Sequence, residues 1–325
     1  MAPCIVFDPK DILPGAWASF MDRGPVRAFN PGLLRDGSGW MLAYRVVGPD
    51  SVRRIAVCRL DARFGVVAGS PVAFTDQVRF PPAAGRDERT TGWFADPRLF
   101  RAMGRLWLYW NSGWQDPMNH QFVQEFDRSS LLPIGHPREL VLTGGRRALE
   151  KNWMFLGDDA SHAVHSVCPH RILEASWASD DRVECSEIAS TPWACDPFTA
   201  IYGELRGGAP PVRVGAEYFS ICHAVNGAPG EYRYVAAAYR FSAAVPFAPT
   251  ASPSGPLGLS NPFGGTRDHP KLNPAVGEVI YPCGAAFDGR QWVISYGIND
   301  ERCAIATISH DVLLASLQIE RKPDG

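Results

Sequence analysis

Several absences narrow this chain before any motif is read. No window of about 18 apolar residues runs anywhere in the 325 residues, so no segment reads as a membrane span. The N-terminus has no basic stretch followed by an apolar run and a small-residue cleavage site, which predicts a soluble, cytoplasmic protein. The net charge is -2 and the arginines are scattered rather than blocked, which argues against a nucleic-acid groove. The 8 cysteines include no Cys-x-x-Cys pair, which leaves a zinc or redox site with little support. Cys58, Cys222, Cys283 and Cys303 lie in or beside apolar strands and read as small hydrophobes rather than disulfide partners. There is no G-x-G-x-x-G run, no Walker motif and no G-x-S-x-G elbow, so the classical nucleotide folds and the α/β-hydrolases find no support.

What the chain does contain is a repeated hairpin. A short apolar strand, a Gly or Asp turn and a strand rich in Trp and Tyr recur as PGLLRDGSGWMLAYRV (31–46), DPRLFRAMGRLWLYWN (96–111), RVGAEYFSICHAV (213–225) and GAAFDGRQWVISYG (284–297), with a weaker copy around 163–175. One hairpin repeated every few tens of residues predicts blades that close into a propeller. The expected fold is all-β, a five-bladed β-propeller forming one domain over residues 1–325, with blades between about 28 and 308. Turns are expected at Asp36–Gly39 and Met103–Gly104. Residues 76–92 read as a loop at the channel mouth, 247–277 as either a long loop or a decorated edge, and Asp311–Leu317 as a short helix. The 28 prolines and 31 glycines fall mostly between the strands, as a many-turned fold requires. Most of the 10 tryptophans are expected to pack blades together; any left over could stack on sugar rings.

Polar residues interrupt the repeats at similar places. Asn30 and Arg45 flank the first blade, and Asp96 and Arg98 open the second. Glu150, Lys151 and Asn152 open the third, where His165 and His170 follow. Arg206 and His223 lie in the fourth, and Tyr281, Tyr296, Asn299 and Asp300 in the fifth. Acids, cations and amides in such a mixture suit a ligand with many hydroxyls. Glycosyl transfer needs an acid at the departing oxygen, and Asp96 is the candidate. Trp93, Phe94 and Phe100 are expected to dry its surroundings and raise its pKa; the plainer alternative is an Asp in a turn. Arg98 falls on the same side by the period-2 rule, as a substrate ligand or as an ion-pair partner for Asp96. Lys151 is an anion-binding candidate or a solvated surface lysine. Arg206-Gly207-Gly208 could wrap an anion or form a flexible turn. His165, His170 and His223 match no compact zinc spacing, so no metal is expected and hydrogen bonds to sugar or phosphate oxygens are preferred.

The segments FNPGLLRD…MLAYR, ADPRLF, EKNW, HSVCPHRI, LRGG and IYPCGAAFDG…ISYGINDE, in that order, make residues 28–308 resemble the propeller enzymes of glycoside hydrolase family 130 and the related β-1,2-mannosyltransferases. The resemblance implies an inverting glycosyl transfer on β-mannosides, above all phosphorolysis. Asp96 is similar to the family's general acid, although Ala95 stands where the family usually has Glu. Asn30, Arg45 and Asp300 look like its sugar ligands, with Arg98 and Tyr296 beside them. Lys151, Arg171 and His223 are the nearest counterparts of its phosphate ligands, and His170 and Arg206 complete that set. Glu150 is the residue that could activate water in a hydrolase. The resemblance implies no cofactor, with inorganic phosphate or a sugar phosphate as co-substrate and a small carbohydrate as the partner. A homo-oligomer is compatible with the sequence. A glycosyltransferase fed by a nucleotide sugar or sugar phosphate, a β-mannoside hydrolase and a non-catalytic sugar-binding propeller remain as alternatives.

Overall fold

A computed structural model describes residues 4–81, 88–112, 119–145 and 150–319. The chain opens with β1 (Cys4–Phe7) and then runs through successive antiparallel meanders. The first is β2 (Arg27–Asp36), β3 (Gly39–Val47) and β4 (Arg53–Leu60). The second is β5 (Ala95–Ala102), β6 (Arg105–Asn111), β7 (Gln121–Phe126) and β8 (Arg138–Leu142). The third is β9 (Met154–Leu156), β10 (His162–Ser166), β11 (His170–Ser176) and β12 (Arg182–Thr191). In the fourth, β13 (Glu204–Arg206) and β14 (Val212–Val214) share β15 (Glu217–Asn226), followed by β16 (Tyr232–Ser242) and β17 (Pro249–Pro253). The fifth is β18 (Val276–Phe287), β19 (Gln291–Ile298) and β20 (Arg302–Ser309); β21 (Leu317–Ile319) returns to β17. β1 pairs with β20, so the N-terminal strand completes the last meander. Parallel pairs β8–β12 and β16–β18 join neighbouring meanders, so the hydrogen bonds draw sheets of 3, 8 and 10 strands.

Side-chain alternation explains how these meanders pack. On β3, Leu42, Tyr44 and Val46 join Val293, Cys303 and Ile305 of the fifth meander. The intervening Met41 and Ala43 join Leu99, Leu108 and Trp110 of the second. Both faces of the strand are therefore buried, each against a different neighbour. Trp107 and Val123 of the second meander pack on Ala163 and Leu173 of the third. Val164 and Ile172 of the third pack on Cys222 and Tyr239 of the fourth, and Ile221 and Ala236 of the fourth pack on Ile294 of the fifth. The packing order thus returns to its start. Trp107, Trp110, Trp153 and Trp292 are all fully buried in these interfaces, and burying a side chain of that size stabilises by roughly 2–3 kcal/mol. The leading strands of the first, second and fifth meanders come close together. A Cβ at Gly32 would stand 2.7 Å from the Pro97 carbonyl oxygen, and one at Gly284 would stand 2.3 Å from the Leu33 nitrogen. Among the described residues no helix is long and apolar enough to cross a membrane.

Some expectations are corrected. Of the two forms expected for 247–277, the decorated edge is found at Pro249–Pro253, where β17 pairs with both β16 and β21. The expected mouth loop at 76–92 includes a short helix, Glu88–Thr91, while residues 82–87 lie outside the described residues. The C-terminal helix is His310–Ala315, capped by the Ser309 side chain, and Leu317 already belongs to β21.

Candidate functional site

The site begins with two copies of one backbone device. In β2 the pairing jumps from Phe29 to Gly32, and in β5 from Ala95 to Arg98. The residues that bulge out are Asn30-Pro31 and Asp96-Pro97. Proline suits such a place because it has no N–H to leave unpaired. Asn30 and Asp96 both take left-handed backbone, with φ of 54° and 52°, a region that Asn and Asp tolerate best among non-glycine residues. The two side chains meet: Asn30 Nδ2 donates to Asp96 Oδ1 at 2.8 Å, and Arg45 approaches the same oxygen at 3.7 Å. The turn between β19 and β20 repeats the backbone strain at Asn299 and Asp300, with φ of 55° and 57°. Asn30, Arg45, Asp96, Lys151 and Asp300 line one cavity of about 300 Å³, with Tyr234 and Tyr281 on its wall.

One glycine guards this geometry. A Cβ on Gly297 would lie 2.0 Å from Asn30 Oδ1, so Gly297→Ala must push the amide off Asp96. With Asp96 as the acid expected from the sequence, turnover should fall about 100-fold, the cost of misplacing such a group by about an ångström. Steady-state kinetics checks this, and unchanged kcat would mean that Asn30 does not position Asp96.

Electrostatics separates the two carboxyls. Burial pushes Asp96 up, but Arg45, Lys151, the Asn30 amide and Arg98 push it down harder, and it sits below the usual carboxylate range. The expected rise through aromatic drying is therefore overturned: of the three rings, Trp93 alone lines the cavity, while Phe94 packs on Trp110 and Phe100 stacks on Phe155. Asp300 moves the other way. Burial raises it and the Asp96 charge adds to the rise, against Arg45, Arg267 and Lys151. The two carboxyls of this cavity therefore hold their protons unequally, Asp300 more readily than Asp96.

With that geometry in place, the molecule can be compared with solved structures. A β-1,2-mannobiose phosphorylase from Listeria innocua, solved with β-1,2-mannobiose, matches with a TM-score of 0.64 at 14% identity, over 98% of this chain and 99% of that one. A putative glycosidase from Bacteroides thetaiotaomicron matches at 0.59 and 15%, over 86% of each chain. A GDP-Man-dependent mannosyltransferase from Leishmania mexicana matches at 0.53 and 10%, over 88% of this chain and 85% of that one. The chain shares the fold of these carbohydrate-active enzymes. No protein-family model matches it, and neither does any curated protein sequence.

Within this shared fold the other predicted residues scatter. Arg98 is 1% exposed and does not line the cavity. It donates to the Gly208 carbonyl at 2.5 Å, to Asn152 Oδ1 at 3.1 Å and to the Asp96 carbonyl at 3.2 Å, so it ties three meanders together beneath the site. Tyr296 is in the core, its hydroxyl donating to the Ser260 carbonyl at 2.8 Å. His170 is buried among Trp193, Tyr239 and Phe241, and burial lowers its pKa to about 4. Arg171, one residue on, turns to the other face toward Glu187 at 3.8 Å. His223 stands behind the wall, against the Tyr234 and Tyr281 rings, and burial holds it well below the ordinary range. Arg206 lines a neighbouring cleft of about 340 Å³ with Glu150 and His165, and Lys151 borders both spaces. In that cleft Arg206 donates to Glu204 at 3.0 Å, and His165 lies 3.7 Å from Glu150.

The sequence reading did not single out Arg53, Asn111, Asn119 or the segment Leu272–Pro274, all of which line the cavity. Arg53 follows Arg45 on the same face of adjacent strands, since Val47 pairs with Arg53 and Arg45 with Ile55. Extending the period-2 rule across the β3–β4 turn would have found it. The Leu272–Pro274 segment comes from an irregular stretch with no such signal.

Proposed function

We propose that this chain is a single five-bladed propeller that transfers a mannosyl group with inversion between a β-mannoside and phosphate. The observation that carries the reading is the joining of Asp96 and Asp300 in one cavity whose wall also bears Arg45, Arg53 and Lys151. The five meanders, each packed on the next, are the blades, and β1 closes the ring. The similarity to a mannobiose phosphorylase over nearly the full chain supports the substrate class. In the proposed reaction a phosphate oxygen attacks the anomeric carbon, the glycosidic bond breaks, and the leaving oxygen takes the proton of Asp96. Asn30 and Arg45 orient the sugar and Asp96, and Asp300 holds a sugar hydroxyl. The wall cations steady the phosphate charge, the kind of preorganised electrostatics that supplies much of a rate enhancement.

The low pKa of Asp96 fits this scheme only if phosphate restores its proton. An anion that pairs with Arg45 and Lys151 cancels what holds the carboxyl down and leaves the burial that raises it. The acid form then persists to higher pH in the complex than in the free enzyme. The alkaline limb of kcat, which reports the complex, should therefore lie at higher pH than that of kcat/KM, which reports free enzyme. Coincident limbs in the two profiles would contradict this coupling.

A second reading is hydrolysis, favoured by the Glu150–His165 pair in the cleft beyond Lys151. A carboxylate so placed can take a proton from water. One incubation separates the two readings. β-1,2-mannobiose with inorganic phosphate should yield α-mannose 1-phosphate and mannose in equal amounts, quantified by phosphorus NMR. Mannose alone would favour hydrolysis, and no turnover of any β-mannobiose would sink both.

A further inference from the structure

We infer that Arg53, with Arg45 and the Trp93 ring, forms the phosphoryl-binding subsite of the cavity. This rests on the phosphate-dependent reading above and assigns the anion to a particular wall. Arg53 opens β4 and its guanidinium lies over Trp93, 3.8 Å from the ring centre. Arg45 lies over Phe29 at 5.0 Å. The Nε of each arginine is buried and has no hydrogen-bond partner among the described residues. Arg45 has the Asp96 carboxylate at 3.7 Å. Arg53 has no carboxylate partner among the described residues; its recorded hydrogen bond is to the Ser51 carbonyl at 2.7 Å. Burial and the like charge of Arg45 lower its pKa to about 10. Arg45 is matched by a carboxylate and Arg53 is not, so Arg53 brings positive charge to the cavity that an anion would balance. Planar forks of this kind fit phosphoryl oxygens two at a time.

The competing location is weaker. In the cleft beyond Lys151, Arg206 already donates to Glu204 at 3.0 and 3.2 Å. Glu150 lines the same cleft. Each space carries two carboxylates, Glu150 and Glu204 in the cleft and Asp96 and Asp300 in the cavity, but Arg206 is already paired with Glu204, whereas Arg53 has no carboxylate partner among the described residues. A phosphoryl group could come from inorganic phosphate, from a sugar 1-phosphate or from a nucleotide sugar, so all three serve as probes.

Binding is measured without turnover, by tryptophan fluorescence and calorimetry, with inorganic phosphate, mannose 1-phosphate and GDP-mannose. At least one probe should bind saturably to the intact protein and change the fluorescence. Arg53→Gln should weaken that binding about tenfold or more, the usual loss for a charged hydrogen bond. Arg53→Lys should fall between, keeping charge but losing the fork. Arg206→Gln should bind within about twofold of the parent, since its guanidinium is committed to Glu204. Trp93→Phe should bind by calorimetry yet lose the fluorescence change. Unchanged affinity in Arg53→Gln, the reverse ranking with Arg206→Gln, a full signal in Trp93→Phe, or no binding of any probe would each overturn the assignment. The two readings also part cleanly. Binding through Arg53 without phosphorolysis refutes the reaction alone, and phosphorolysis with unchanged phosphate KM in Arg53→Gln refutes the subsite alone.

Discussion

Asp96→Asn is expected to lower kcat by about 1,000-fold, within the range that general-acid removal produces, while sugar affinity stays within a few-fold. Asn is the right replacement for three reasons. It tolerates the left-handed backbone at this position, where φ is 52°. Its amide oxygen can still accept from Asn30 Nδ2, which now reaches Asp96 at 2.8 Å. It cannot release a proton to a departing oxygen. The mutant therefore removes the chemistry and keeps the shape. Kinetics with β-1,2-mannobiose and phosphate, paired with calorimetric sugar binding, reads both quantities. Retained turnover would remove Asp96 from the mechanism, and lost affinity with retained kcat would make it a binding residue.

The second large effect concerns stability. Arg98→Met should cost about 3–5 kcal/mol, because hydrogen bonds to a buried charged group contribute about 1.5–3 kcal/mol each and the carbonyls left behind stay buried. The guanidinium holds the Gly208 carbonyl, Asn152 Oδ1 and the Asp96 carbonyl together, over the Tyr109 ring at 5.3 Å. Asn152 would keep its bond from the Tyr281 hydroxyl at 2.7 Å, but Gly208 and Asp96 would lose a partner. A loss of this size should lower the melting temperature by about 10 °C, measured by calorimetry on the intact chain. A variant that melts like the parent but binds sugar poorly would show instead that Arg98 reaches the substrate.

These two residues also show what the sequence could and could not tell. The hairpins were legible because each meander is sandwiched between two others, so its strands are apolar on both faces and bounded by turns. The Met103–Gly104 turn, with φ of 53° and 72°, reads directly from its residues. The backbone at Asn30 and Asp96 was not legible, because a residue before proline favours extended backbone, whereas both take left-handed φ, 54° and 52°, in a bulge. The third meander was harder. His170 and Arg171 are adjacent in an irregular strand, and nothing local tells which faces the core; the structure sends His170 inward and Arg171 toward Glu187. Tyr296 failed for a similar reason, since alternation gives its face but not which neighbour that face meets. The Asp96 pKa is not legible from its neighbours in sequence, because the groups that decide it arrive from other parts of the chain: Arg45, Lys151 and Asn30. Leu272–Pro274 reach the cavity from a stretch with no period at all.

The most direct test is a crystal structure of the chain soaked with β-1,2-mannobiose. The prediction is one pyranose ring in the cavity with hydroxyls within hydrogen-bond reach of both Asp96 and Asp300. A disaccharide bound elsewhere, with neither carboxyl touching it, would contradict the account.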